Sequence, residues 1–143
     1  MITGELNPVR RPLAAVGVVC LRGDDVLLIR RAKPPMQGHW SLPGGRIEWG
    51  ERVADAALRE LKEETDIEAE IVGLIDVVDG IGPASDPNAL HYVLIDYAAR
   101  WLSGEPRAGD DAADARFFAP VELEGLGLWH ETLRVIAAAR TLP

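Results

Sequence analysis

Residues Gly45 to Ile67 read GRIEWGERVADAALRELKEETDI. From Arg52 to Thr65 this stretch has helical periodicity, with Ala54, Ala57, Leu58 and Leu61 as an apolar stripe. Glu60, Glu63 and Glu64 then fall on one face, within an arc of about 100° on a regular helix. Three like charges on one face repel and weaken an isolated helix. A bound divalent cation is a physical reason to keep them, and oxygen-only ligands favour a hard ion such as Mg²⁺ or Mn²⁺. Glu60 and Glu64, one turn apart, can grip one ion together, and Glu63 beside them can reach a second. Arg59 lies among these acids with a rigid fork that can orient a carboxylate, Glu51 included. The plain alternative is an acidic, solvated helix.

Outward from this stretch, Leu13–Leu21 and Val26–Arg31 read as strands joined by the turn Arg22-Gly23-Asp24-Asp25, a hairpin. Residues 1–12, with Pro8 and Pro12, read as a loose arm. Pro34 to Gly38 reads as a loop, followed by a short extended piece at Trp40–Leu42. Glu68–Asp79 reads as a strand interrupted at Gly73, and Ala89–Trp101 and Arg116–Phe118 as further strands. Gly80–Asn88 and Ser103–Asp111 read as polar loops. Trp129–Arg140 reads as an amphipathic helix burying Trp129, Leu133, Ile136 and Ala137. Strands, a helix, more strands and a last helix make a mixed α/β class with helices packed on a sheet.

The stretch and its lead-in Trp40-Ser41-Leu42-Pro43-Gly44-Gly45 resemble the Nudix box, G-x5-E-x7-R-E-U-x-E-E-x-G-U with U aliphatic. Gly45, Glu51, Arg59, Glu60, Leu61, Glu63, Glu64 and Ile67 fill its slots; Asp66 stands where the family has its second glycine. The resemblance implies the Nudix fold, an α/β/α sandwich around a mixed β-sheet, over one domain spanning 1–143. It implies Mg²⁺ (or Mn²⁺) held by Glu60, Glu63, Glu64 and the carbonyl of Gly45, with Arg59 and Glu51 ordering the acids. Glu63 is the first choice of general base, with Asp110, Asp111, Asp114 and Glu131 as acids outside the box. The family glycine ends the helix in a left-handed turn, a geometry that Asp66 tolerates better than most residues.

The implied reaction is hydrolysis of the phosphoanhydride bond in a nucleoside diphosphate linked to another moiety. ADP-ribose or a related sugar nucleotide is favoured. A MutT-like nucleoside triphosphate pyrophosphohydrolase is the alternative, and a non-catalytic nucleotide sensor is the reading of another class. An isomerase on this scaffold would need a catalytic cysteine, and Cys20 sits in an apolar strand. Arg30, Arg31, Lys33 and Arg46 flank the box and offer charge to phosphates, and Trp49 offers a ring for stacking or a subunit contact. Tyr92 and Trp129 read as core or rim residues. His39, His91 and His130 have no zinc-ligand spacing.

Composition bounds the rest. A net charge of −8 over 143 residues disfavours a nucleic-acid polymer as partner, because phosphate backbones need a basic surface. A small nucleotide remains compatible when a metal carries positive charge locally. The single cysteine excludes an internal disulfide and fits a cytoplasmic protein. No apolar run reaches membrane-span length. A homodimer is allowed but not required.

Overall fold

The computed structural model describes residues 10–34, 36–109 and 111–143. Its elements are β1 (Leu13–Arg22), β2 (Asp25–Arg31), β3 (Trp40–Ser41), β4 (Gly44–Arg46), α1 (Val53–Thr65), β5 (Glu68–Ile81), β6 (His91–Ser103) and β7 (Ala112–Phe118). A 3₁₀ helix (Pro120–Leu126) and α2 (His130–Ala139) close the chain. Most of the arm expected at residues 1–12 lies outside the described residues.

β1 is the strut of the fold. Its apolar run is buried on both faces, as expected of a strand covered by helices on either side. Val16, Val18 and Cys20 join Leu27, Ala57 and Leu61 in a core under α1. Val19 points the other way, into a core with Leu28, Ala98, Phe118, Val135 and Ile136 under α2. The sheet is mixed: β1 runs parallel to β6, while β5 pairs β6 and β7 pairs β2 in antiparallel fashion. The expected α/β/α sandwich around a mixed sheet is what forms.

The hairpin of β1 and β2 pairs only near its turn, at Leu21↔Val26 and Arg22↔Asp25. Beyond that the strands diverge, and the lead-in to the acidic helix fills the fork. β3 pairs with β2, β4 pairs with β1, and the Val18 N–H donates to the Pro43 carbonyl at 2.9 Å. The two glycines before the helix are thereby stapled to the central strand. A Cβ on Gly44 would fall on the Val16 carbonyl oxygen.

Helix α1 ends as the sequence suggests. Asp66 adopts φ 61°, and its N–H donates to the Lys62 carbonyl at 2.9 Å. The buried stripe differs from the expected one. Ala56, Ala57, Leu61 and Thr65 are buried, whereas Ala54 and Leu58 are only half-buried. Two adjacent alanines let the helix lie close on the sheet, and the half-buried Glu60 and Glu64 come to its edge. Complete burial of Leu61 stabilises this packing by about 2 kcal/mol.

The last helix is rotated in the same sense. Thr132, Val135, Ile136 and Ala139, an i, i+3, i+4, i+7 set, are buried. Trp129 caps the helix and is exposed with Leu133 and Ala137. Both stripes contain Ile136, and the sheet accepts the one with the smaller side chains. β5 is not broken at Gly73. It continues through β-bulges between Ile71 and Gly73 and between Leu74 and Asp76, so that Asp76 pairs with Asp96. β7 begins at Ala112, earlier than expected, which takes Asp114 out of the loop and onto a strand. Among the described residues, no helix is long and apolar enough to cross a membrane.

Candidate functional site

A cleft of about 980 Å³ opens where the fork between β1 and β2 meets the edge of α1. Gly44, Gly45, Glu60, Glu63 and Glu64 line one part of it; Gly17, Asp96, Trp129 and Glu131 line another.

In the acidic part the chain brings the expected residues together. The Gly44 N–H donates to Glu64 Oε1 at 2.7 Å. A Cβ on Gly45 would lie 2.5–2.6 Å from the Glu60 carboxyl, so the space of a side chain here is occupied by that carboxyl. Arg59 links the acids. Its Nε and Nη2 donate to the two oxygens of Glu51 at 2.6 and 2.9 Å. Its Nη1 donates to Glu60 at 2.9 Å and to Glu63 at 3.2 Å, and Nη2 also reaches the Arg46 carbonyl at 3.1 Å. This is the bidentate geometry in which arginine fixes carboxylate orientation.

The electrostatics divide along these contacts. The hydrogen bond from Arg59 and that from the Glu48 N–H hold Glu51 below its ordinary carboxylate range. Arg59 is in turn held protonated more firmly than usual, chiefly by Glu51. Glu60 is pushed up by burial, with the neighbouring charges of Glu63 and Glu51 adding to the rise and Arg59 opposing it. Glu64 is pushed up to about 7, first by burial and then by Glu60 and Asp111, against the Gly44 hydrogen bond. Glu60 and Glu64 thus carry charge that the protein alone does not fully compensate.

That donor set fits a hard divalent cation: oxygens only, two raised carboxylates, a third within reach, and a glycine that leaves room for them. Among the described residues, no three His, Cys, Asp or Glu side chains are already arranged as a metal cage.

The loop after β6 clasps the end of α1. The Gly109 N–H donates to the Glu64 carbonyl and the Arg107 N–H to the Thr65 carbonyl, both at 2.9 Å. These bonds satisfy carbonyls that a helix end leaves open. A Cβ on Gly109 would fall on the Glu63 carbonyl oxygen. The clasp brings Asp111 to the cleft, where Lys33 Nζ donates to it at 3.0 Å. The sequence marks this loop only as polar; Gly104 and Gly109 are its signals of close backbone approach.

Other expected residues are distributed unevenly. Arg31, Lys33, Arg46 and His39 line the cleft, whereas Arg30 is not among the lining residues and lies over the Trp40 ring at 5.9 Å. Trp49 is fully exposed beside the box and is also absent from the lining. Asp114 accepts the Ala115 N–H at 2.8 Å within β7. Glu131 lines the cleft and accepts from Arg134 at 2.6 Å. Asp110 lies outside the described residues. Tyr92 and Trp129 sit on the cleft wall. Cys20 is fully buried away from the cleft lining, and burial pushes its thiol up to about 12.

One cleft residue has no counterpart in the sequence reading. Asp96, on β6, is 5% exposed and lines the cleft. Burial, with Asp76 and Glu131 adding to it and Arg134 opposing, pushes it up to about 6. It pairs across the parallel ladder with Gly17, and a Cβ on Gly17 would fall on its Oδ1. An acid in a strand carries no local signal of this kind; only the pairing of β1 with β6 creates it.

A NUDIX domain profile matches residues 11–139. An ADP-ribose pyrophosphatase of Methanocaldococcus jannaschii is 37% identical over 122 residues, which are 85% of this chain and 70% of the relative. An 8-oxo-dGTP diphosphatase of Proteus vulgaris is 40% identical over 65 residues, 45% of this chain and 58% of the relative. A MutT NUDIX hydrolase structure from Burkholderia pseudomallei matches with a TM-score of 0.79 at 35% identity, covering 90% of this chain and 98% of its own.

Proposed function

The chain belongs to the Nudix hydrolase family, and on that premise we propose that it is a Mg²⁺- or Mn²⁺-dependent pyrophosphohydrolase of nucleoside diphosphate derivatives. The bond cleaved is a phosphoanhydride in a nucleoside diphosphate linked to another moiety. The observation that carries the reading is the placement of Glu60 and Glu64 against the Gly44–Gly45 backbone on the cleft wall, both pushed up by burial.

Glu60, Glu64 and the Gly45 carbonyl would hold the cation, with Glu63 in reach of a second. Bound there, a divalent ion would orient the diphosphate, offset the charge built up as the anhydride breaks and acidify a bound water. The protein's own part is positioning. Arg59 and Glu51 form a rigid pair that fixes Glu60 and Glu63 in place. Glu63, the most exposed of the three acids, is the proposed general base that takes the proton of the attacking water. Of the residues singled out for substrate, Arg31, Lys33 and Arg46 line the cleft and are proposed to contact phosphate. Arg30 and Trp49 do not line it.

ADP-ribose or a related sugar nucleotide is the favoured substrate, supported by the archaeal relative. The triphosphate reading is supported by the Proteus relative and by the MutT structure. A cytoplasmic location is proposed from the single buried cysteine.

The test is phosphate release over nucleoside triphosphates, dinucleotides and nucleotide sugars, with and without Mg²⁺, beside Glu63→Gln and Glu64→Gln. Turnover of one group that disappears without metal and in both variants is the expected result. Nucleotide binding without turnover of any of them would favour the sensor.

A further inference from the structure

Asp96 is a costly residue in its place. Strand alternation puts it on the α2 side of the sheet, since Ala98, two residues on, belongs to the core under α2. Its carboxyl is almost wholly buried, yet among the described residues no side chain or backbone N–H donates to it. Arg134, the nearby cation, is committed elsewhere: to Asp76 at 2.9 Å and to Glu131 at 2.6 Å. No fully buried side-chain oxygen among the described residues lacks a partner, so the carboxyl oxygens are open to the cleft; an acid set this deep beside the core still costs more than an apolar residue would. Gly17 compounds the cost, because a flexible residue is kept in a central strand only where space is needed, and here the space holds the Asp96 carboxyl. Both features are accounted for if a ligand supplies the missing donor.

The recess in front of Asp96 has the walls of a ring-binding site. Leu94 and Val135 are apolar, and Trp129, partly exposed, offers an aromatic rim. It is continuous with the acidic part of the cleft. We propose that Asp96 is a specificity-determining residue whose carboxylate accepts an N–H from the exocyclic amino group of the substrate's nucleobase. The inference rests on the hydrolase reading for the nature of the ligand. An ionised carboxylate is acceptor-only. It therefore welcomes the amino group of adenine or guanine and gains nothing from what hypoxanthine has in its place, an oxo group at C6 where adenine has its amino group and a hydrogen at C2 where guanine has its own. A base with an amino donor is selected over one that lacks it.

The test is calorimetric binding of AMP, GMP and IMP to the full chain and to Asp96→Leu, which removes the acceptor at similar volume, with Gly17→Ala as a second variant that displaces the carboxyl without removing it. AMP or GMP should bind the wild type on the order of ten- to a hundredfold more tightly than IMP, and whichever does so names the base. The preference should collapse in both variants. In turnover, Asp96→Leu should raise KM for the amino-bearing substrate more than it changes kcat. Equal binding of all three nucleotides, binding of none, or a preference that survives in Asp96→Leu would overturn the proposal. Binding needs no turnover, so a chain that prefers the amino-bearing base but hydrolyses nothing would overturn the hydrolase reading alone.

Discussion

The two parts of the cleft hold their carboxylates in opposite ways. On the α1 side Arg59 reaches Glu51, Glu60 and Glu63 from one guanidinium, and backbone donors complete the set. On the α2 side Asp96 faces the cleft with no donor among the described residues, and the nearby cation, Arg134, is spent on two other acids. The first part is built from residues close in sequence, so its order is stored locally in one helix and its lead-in. The second is built by pairing strands from distant parts of the chain. A charge cluster held by its own arginine suits the proposed metal and phosphates; a lone acid set deep in the cleft suits the proposed base.

Breaking the Arg59 fork should have the largest effect. Arg59→Ala is expected to lower kcat/KM by roughly ten- to a hundredfold, the range for groups that orient metal ligands, with folding retained by circular dichroism. Unchanged turnover in a folded variant would mean that the acids orient themselves and that the two parts of the cleft differ less than their geometry implies.

The opposite part is probed by stability against pH. A carboxyl raised from 3.8 to about 6 binds its proton more tightly in the folded state than in the unfolded one. The folded state is therefore favoured below about pH 4, and that advantage disappears as pH rises through about 6. The loss is at most ~3 kcal/mol for a shift of this size. Asp96→Asn should match the wild type near pH 4 and melt at a higher temperature near pH 8. Glu64 adds its own decline up to about pH 7, so the difference between the two melting curves, not either curve alone, isolates Asp96. Parallel curves at all pH values would show that the carboxyl has found a donor after all.

Gly109 sharpens the comparison from outside the acids. Gly109→Ala would drive a methyl onto the Glu63 backbone carbonyl, where neither side can yield cheaply. A loss of about 1–3 kcal/mol of stability is expected, read as a lower melting temperature. A normal melting temperature would mean that the clasp on α1 is looser than the hydrogen bonds imply.

Much of this architecture is legible in the sequence, for physical reasons that also mark where reading stops. The α1 helix, its left-handed end at Asp66 and the β1–β2 hairpin rest on local periodicity and turn chemistry, and all three form as expected. Which stripe of a helix is buried is decided by the surface it meets. In α1 Ala56 is buried in place of Ala54, and in α2 Thr132 in place of Leu133, through the way each helix lies on the sheet. β7 starts in Ala112-Ala113-Asp114, residues with little strand preference, because β2 offers an unpaired edge there. Of the site, the acids and arginine of the box are readable from spacing, while Asp96, Gly17 and the Gly109 clasp exist only once distant segments meet.

The parallel pairing of β1 with β6 also sets an order of assembly. A local helix can form quickly, but a parallel neighbour recruited from late in the chain requires closure of a long loop first. The acidic helix can thus exist, with its carboxylates in place, before the wall that carries Asp96 is built. During folding, the proposed metal site would precede the proposed base site.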